Sequence, residues 1–246
     1  LLSTYGSRDQ NFRSLQCIKA LLLMSSEVTL EARRIIDGVE EFCNSIQTHE
    51  LSHVLRAFLF KAVCRQTELL CEFTKFYDSV FDLVICCEKA NIAIATEELA
   101  GLAYKTALAG LLSPSIHNFG KLLTTKAFTD CLEASNDAWL LEWVRVCNAG
   151  DVAGSEHFVE ANKDAIQSIP DLANALPSLS KKVRLMALLH LVFHTAADKR
   201  TFTFDQLAQR CAIKEAEVGT LLLSALALHL IEGTIDGLDK CIKISW

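Results

Sequence analysis

The chain is 246 residues long, with 51% hydrophobic and 22% charged side chains and a net charge of −6. That balance excludes a disordered polar chain and argues against a broad polyanion-binding surface. Only 10 Gly and 3 Pro interrupt it, so long helices are expected rather than many-stranded sheets.

In chain order, residues 9–24 predict a helix with one strongly buried face. Thr29 caps a second, whose Leu30, Ile35, Val39 and Phe42 share an apolar stripe with charges between. Helices over 48–65, capped by Thr48, and 67–86, starting at Thr67, continue the pattern. Successive helices of this length joined by short turns imply stacked antiparallel pairs, a TPR-like solenoid. No TPR consensus recurs at a 34-residue period. Pro114 and Gly120 mark turns, Asn136 opens a helix, and Asn148-Ala-Gly-Asp151 turns it into the next. Pro170 and Pro177 are expected to bracket the connection into a helix over 179–195.

The last segment, 201–246, has the order of a winged helix. Thr201-Phe-Thr-Phe204 alternates as a short strand does, and Thr203 with Gln206 spells a capping box, with Phe202 and Leu207 placed for a hydrophobic staple. A short helix to about Cys211 and a longer one over 214–229 follow. Two strands, 231–235 and 241–246, flank the turn-forming Asp236-Gly-Leu-Asp239. The fold class is therefore mostly α, a helical-repeat solenoid followed by a winged-helix α+β subdomain. The expected divisions are 1–95, 96–197 and 198–246.

A winged helix suggests DNA, but the charge argues otherwise. From Thr201 onward Arg210, Lys214, Lys240 and Lys243 face Asp205, Glu215, Glu217, Glu232, Asp236 and Asp239. The helix that would read a groove carries Leu221, Leu222, Leu223, Leu226 and Leu228 where a duplex reader needs Lys, Arg and polar tips. It is a packing helix, and no nucleic-acid partner is expected.

Three runs carry a resemblance: the one opening at Leu179-Ser-Lys-Lys182, Thr203-Phe-Asp-Gln-Leu-Ala208, and Ile231-Glu-Gly-Thr-Ile-Asp236 with Lys240-Cys-Ile-Lys-Ile-Ser-Trp246. Together they resemble the C-terminal half of a PCI domain, the scaffold of the proteasome lid, the COP9 signalosome and translation initiation factor three. Leu108-Ala-Gly-Leu-Leu112 with Asn118-Phe-Gly-Lys-Leu-Leu123 is similar to a signature of the 26S proteasome lid, so the resemblance covers 96–246 closely and 1–95 by architecture only. Lys214 departs from it, standing where members tend to carry a Thr or Ser N-cap, which weakens that helix start by about 1 kcal/mol.

The resemblance implies a non-catalytic scaffold subunit of the regulatory-particle lid, acting in ubiquitin-dependent degradation. Its partners would be adjacent PCI subunits and MPN-domain subunits in a hetero-oligomer of cytoplasm and nucleus, without cofactor or metal. The alternative within the family is a PCI subunit of the COP9 signalosome.

One motif points elsewhere. His49-Glu-Leu-Ser-His53 fits H-E-x-x-H, which on a helix sets two His around zinc with the Glu as base, and Glu72 has the spacing of a third ligand. Against a zinc peptidase, Thr48 as N-cap puts the motif at a helix start, where the macrodipole favours an acid anyway. His190 and His194 are also four apart, with apolar residues between. Ten Cys without a C-x-x-C pair read as reduced, buried thiols. No apolar run reaches the ~18–20 residues of a membrane span. The Met-less start and the final strand are expected of a fragment of a longer subunit.

The wing supplies the expected docking site. Its strand offers unpaired backbone groups without Pro or inward charge to blunt them. Gly233, Thr234 and Ile235, with Ile242 and Ile244 on the neighbouring strand, are the expected subunit contact, and Thr234→Pro is the substitution expected to block it.

Overall fold

The computed structural model describes residues 2–47 and 50–245, which form two compact units, 1–110 and 111–246. In the first unit five helices follow one another: α1 (Leu2–Ser25), α2 (Thr29–Ser45), α3 (His53–Leu69), α4 (Phe73–Lys89) and α5 (Thr96–Leu112), the last crossing the boundary. Cys17, Ala20 and Met24 of α1, Ala32, Ile36 and Val39 of α2, and Leu55, Leu59, Ala62 and Val63 of α3 share one buried cluster. Phe76, Tyr77, Val80 and Leu83 bury the inner face of α4. Charges on the outer faces tie neighbours together: Lys19 to Glu31 at 2.8 Å, Lys61 to Glu98 at 2.7 Å, and Lys105 to Glu68 at 2.6 Å, with Arg65 of the same helix also holding Glu68 at 3.0 Å.

Two expected boundaries move. Helix α3 starts at His53, capped by Ser52, whose hydroxyl accepts from Val54 N at 3.2 Å; the expected cap Thr48 lies outside the described residues. Thr67 starts nothing. Its hydroxyl donates back to the carbonyls of Val63 at 2.8 Å and Cys64 at 3.1 Å, and α3 runs on to Leu69. A Thr side chain can serve a helix start or its own preceding turn, and here burial selects the second.

The helix ends share one device. The chain turns left-handed at Glu27 (φ 62°), Cys71 (φ 55°) and Asn91 (φ 54°). The next N–H reaches five residues back: Val28 to Leu23 O, Glu72 to Thr67 O and Ile92 to Cys87 O, each at 2.9 Å. These are Schellman closures built without glycine.

The second unit is assembled around α11 (Pro170–Phe193), 24 residues long. Against it lie α8 (Ala138–Asn148), α9 (Val152–Ala161) and α10 (Lys163–Gln167) on one side of the sequence, and α12 (Phe204–Cys211) and α13 (Glu215–Ala227) on the other. Two short helices, α6 (Gly120–Thr124) and α7 (Lys126–Glu133), lead into α8. The two prolines do not bracket a connection. Pro170 is at the first position of α11, where a missing N–H costs nothing, and Pro177 lies inside the helix. Buried Leu172 and Leu179 on either side hold α11 through the lost bond. Nor does Asn136 cap α8, which begins at Ala138; the turn before it is held by Ser135, whose hydroxyl accepts from Asp137 N at 3.0 Å.

The motif Asn118-Phe-Gly120 is the core of this unit. Phe119 is fully buried, its N–H donates to Asn148 Oδ1 at 3.0 Å, and Asn118 Oδ1 accepts from Gly120 N at 2.7 Å. The Lys182 ammonium of α11 lies 5.1 Å from the Phe119 ring centre and donates to Ser113 O at 2.8 Å and Leu111 O at 3.4 Å. In the turn between α8 and α9, Gly150 is left-handed (φ 62°), and a Cβ there would stand 2.6 Å from Ala187 Cα and N of α11. Asp151 then caps α9, accepting from Gly154 N at 2.9 Å.

The winged helix follows as read from the sequence, with shorter elements. β1 (Thr201–Thr203), β2 (Gly233–Asp236) and β3 (Cys241–Ile244) form an antiparallel sheet in the order β1-β3-β2. The Thr203–Gln206 box is complete: Gln206 N donates to Thr203 Oγ1 at 3.3 Å and Thr203 N to Gln206 Oε1 at 3.0 Å. Helix α13 stops at Ala227, because His229 (φ 53°) closes it left-handed with Leu230 N on Ala225 O at 2.9 Å.

Candidate subunit-docking surface

The strand order leaves β2 on an outer edge of the sheet. Its register pairs Gly233 with Ile244, Thr234 with Lys243, Ile235 with Ile242 and Asp236 with Cys241. Just outside the ladder, Ser245 N donates to Glu232 O at 2.8 Å. Antiparallel pairs alternate between bonded and non-bonded, so Thr234 and Asp236 turn their backbone groups inward to β3. Gly233 and Ile235 turn theirs outward, away from the sheet.

This reassigns the roles within the expected contact. Thr234 is exposed on its side chain, but its N–H belongs to the β3 ladder, so Thr234→Pro would damage the sheet itself and is replaced as a test by Ile235→Pro. Ile242 and Ile244, 0% and 2% exposed, stand beside Ile235 and Gly233 on the buried face of β3 and can support a contact only through the sheet. Gly233 lets the strands close: a Cβ there would stand 2.4 Å from Lys243 O. The open groups are thus the N–H and C=O of Gly233 and Ile235, the set a partner strand would bond.

The helix that would enter a DNA groove opens with Glu215 and Glu217. Glu215 binds Lys240 at 2.7 Å, which raises the Lys240 pKa, and Glu217 Oε2 accepts from Lys214 N at 3.0 Å. Lysine has no acceptor, so α13 starts with half a capping box, and part of the expected weakness is made good. Leu221 and Leu222 are buried, whereas Leu223 is exposed beyond them.

The zinc arrangement does not form. Glu50 lies in a turn, its N–H on Gln47 O at 2.9 Å, and His53 is the first residue of α3; His49 lies outside the described residues. Gln10 of α1 fixes this turn, donating to Glu50 O at 3.0 Å and accepting from Ser52 N at 2.7 Å. Glu72 sits just beyond the far end of the 17-residue α3, some 25 Å of helix rise (~1.5 Å per residue) from His53. Two ligands that far apart cannot share an ion. Among the described residues no group of three His, Cys, Asp or Glu is placed to hold a metal.

His190 and His194 lie at the end of α11 with their rings stacked 4.0 Å apart, beside His117 and His229 in a cleft of about 430 Å³. His194 Nδ1 is 2.8 Å from His190 O, and Arg210 Nη2 is 3.3 Å from His190 Nδ1. Burial, then the neighbouring His194 and Arg210, push the His190 pKa down; burial also lowers His117 against the Ser115 carbonyl. These rings pack and orient side chains. The group most displaced from its ordinary state is Lys182, which burial drives down to about 7. Sequence reading passed over it because a Lys-Lys pair inside a helix looks like solvent-facing charge.

Comparison with known proteins agrees with this architecture. Residues 7–144 match the family model described as PSD13 N-terminal repeats, and residues 159–246 match the PCI domain. The chain is 31% identical over 173 residues to the 26S proteasome non-ATPase regulatory subunit 13 of Dictyostelium discoideum, covering 70% of this chain and 44% of that protein. It is 30% identical over 231 residues to the probable 26S proteasome regulatory subunit rpn9 of Schizosaccharomyces pombe, covering 94% and 56%. With the 26S proteasome regulatory subunit RPN9 of Saccharomyces cerevisiae the identity is 26% over 235 residues, covering 92% and 58%. The chain spans about half the length of these curated relatives. The repeat match reaches back to residue 7, where the sequence had offered only helical architecture. The two matches follow one another along the sequence, and the chain belongs to the family that joins PSD13 N-terminal repeats to a PCI domain.

Proposed function

We propose that this chain is a non-catalytic scaffold of the 26S proteasome regulatory-particle lid, acting in ubiquitin-dependent degradation by joining neighbouring subunits. The observation that carries the reading is the open β2 edge: outward N–H and C=O groups on Gly233 and Ile235, in a domain related to proteasome regulatory subunits. A strand from an adjacent PCI subunit extends the sheet there, with Ile242 and Ile244 of the neighbouring strand anchoring β2 to the core. MPN-domain subunits complete the hetero-oligomer, which works in cytoplasm and nucleus. Ile235→Pro removes an outward donor and leaves the β3 ladder bonds intact. Incorporation of the full-length variant into ATPase-containing complexes, measured by native mass, is expected to fall well below that of Ile235→Ala, which loses the same half-buried side chain but keeps the outward amide. Wild-type incorporation would overturn the edge reading, and an endogenous complex without ATPases would move the chain to the signalosome.

A further inference from the structure

The wing carries a side chain that its own fold does not use. Leu238 is 96% exposed, against 67% for Leu30, the next most exposed large hydrophobic residue among those described. A lone exposed leucine is ordinary on a protein surface. This one is held in place. Asp236 Oδ1 accepts from Leu238 N at 2.9 Å and from Asp239 N at 3.1 Å, which fixes the backbone that presents it. On the far side of the turn Lys240 is left-handed (φ 45°), its carbonyl accepts from Phe204 N at 2.8 Å, and its ammonium reaches Glu215 at 2.7 Å. The tip is thus tied to the sheet, to α12 and to α13, and the leucine projects from it with no packing partner.

We infer that Leu238 is an anchor side chain of the wing, seated in an apolar socket rimmed by Lys or Arg on the neighbouring protein chain whose strand pairs with β2. The inference rests on the docking role proposed for that strand. Three features of the wing select this occupant. The turn directly continues β2, so a chain laid along Gly233 and Ile235 runs past Leu238. Asp236 and Asp239 are exposed acids on either side of it, and the one cation of the turn, Lys240, is engaged by Glu215. An acidic collar around an apolar tip fits a basic collar around an apolar hole. The backbone that presents the leucine is fixed before binding, so docking orders only one short side chain, which is how a small contact becomes an energetic centre.

The test uses tagged full-length protein expressed beside the untagged wild type, with incorporation into ATPase-containing 26S complexes as the readout. Leu238→Ser is expected to lower incorporation at least about fivefold, the effect of a residue worth more than ~1 kcal/mol at an interface. Leu238→Met should retain most of it, Asp239→Lys should lower it, and the melting temperature should not move in any of them. Wild-type incorporation of Leu238→Ser overturns the anchor. If Ile235→Pro is excluded in the same experiment, the strand-edge reading stands without it, and if Ile235→Pro also enters normally both fall. A lowered melting temperature for Leu238→Ser would overturn it too, by making the leucine part of the fold.

Discussion

The turns of the 1–110 unit and the turn at 149–151 meet one steric problem in two ways. Glu27, Cys71 and Asn91 adopt left-handed backbone with a side chain attached, and all three are exposed. Gly150 adopts the same backbone but is buried, with α11 occupying the space a Cβ would need. At an open turn the left-handed conformation costs a residue only its local strain, of order 1 kcal/mol. Where a helix backbone presses on the turn, no side chain fits at all. Repeats can therefore vary freely at their turns, while the helical part of the second unit is held by individual residues.

Gly150→Ala should be the most damaging single change. It adds left-handed strain to a Cβ 2.6 Å from the Ala187 backbone, for a loss of about 3 kcal/mol. Urea unfolding can read the two units separately, because all three Trp (139, 143 and 246) lie in 111–246 and all three Tyr (5, 77 and 104) in 1–110. The Trp transition should move to lower urea and the Tyr transition should not. A Trp midpoint within error of wild type would show that α11 yields readily to the turn.

The buried cation makes the second-largest effect, and only in one pH range. The Lys182 pKa is about 7 folded, set by burial and opposed slightly by Cys147, against 10.5 unfolded. Between those values the unfolded chain binds a proton that the folded one does not, so stability falls as pH drops from 10.5 toward 7 and levels off below 7. Above pH 9 the buried thiols oppose it, since Cys17, Cys64 and Cys147 are pushed up to about 12 and ionise first in the unfolded chain. The clean window is pH 7 to 9, where the Trp-reported stability should rise by about 2 kcal/mol. The carbonyls of Ser113 and Leu111 and the Phe119 face favour the ammonium and make that an upper value. Lys182→Met should flatten the slope; an unchanged slope would mean that another group carries it.

The difference between exposed and buried turns also explains what the sequence could tell. The winged helix was legible because its starts and turns use residues with one meaning each: Thr203 with Gln206, and Asp236 with its glycine. The solenoid helices were legible by periodicity, but the α3–α4 junction was misplaced, because Cys71 as a left-handed closure carries no compositional signal and Thr67 imitates a start. Pro177 looks like a boundary because sequence cannot show that Leu172 and Leu179 are buried on either side of it in α11. Within the proposed docking strand the sequence names candidate residues but not which amides face outward, since that parity depends on register. Cys71→Gly sharpens the point: relieving left-handed strain at an exposed turn should raise the Tyr-reported stability by ~0.5–1 kcal/mol, the reverse in sign of the change at residue 150. A loss would mean that the Cys71 side chain makes a contact worth more than the strain.

An effect no larger is expected at two successive helix starts of the winged helix, α12 and α13. Thr203 gives α12 both bonds of a capping box, whereas Lys214 gives α13 only the one returned by Glu217. The missing bond is a side-chain acceptor for the first amides of α13, and Lys214 is exposed, so a shorter side chain there displaces no packing. Lys214→Thr should complete the box and stabilise the unit by ~0.5–1 kcal/mol, about what Thr203→Ala should cost at the other start. Part of the gain depends on Glu217 already holding the Lys214 amide, so it should shrink in a Glu217→Ala background. Double-mutant analysis of Trp-reported unfolding checks this, and equal gains with and without Glu217 would show that the hydroxyl caps α13 alone, without the reciprocal bond.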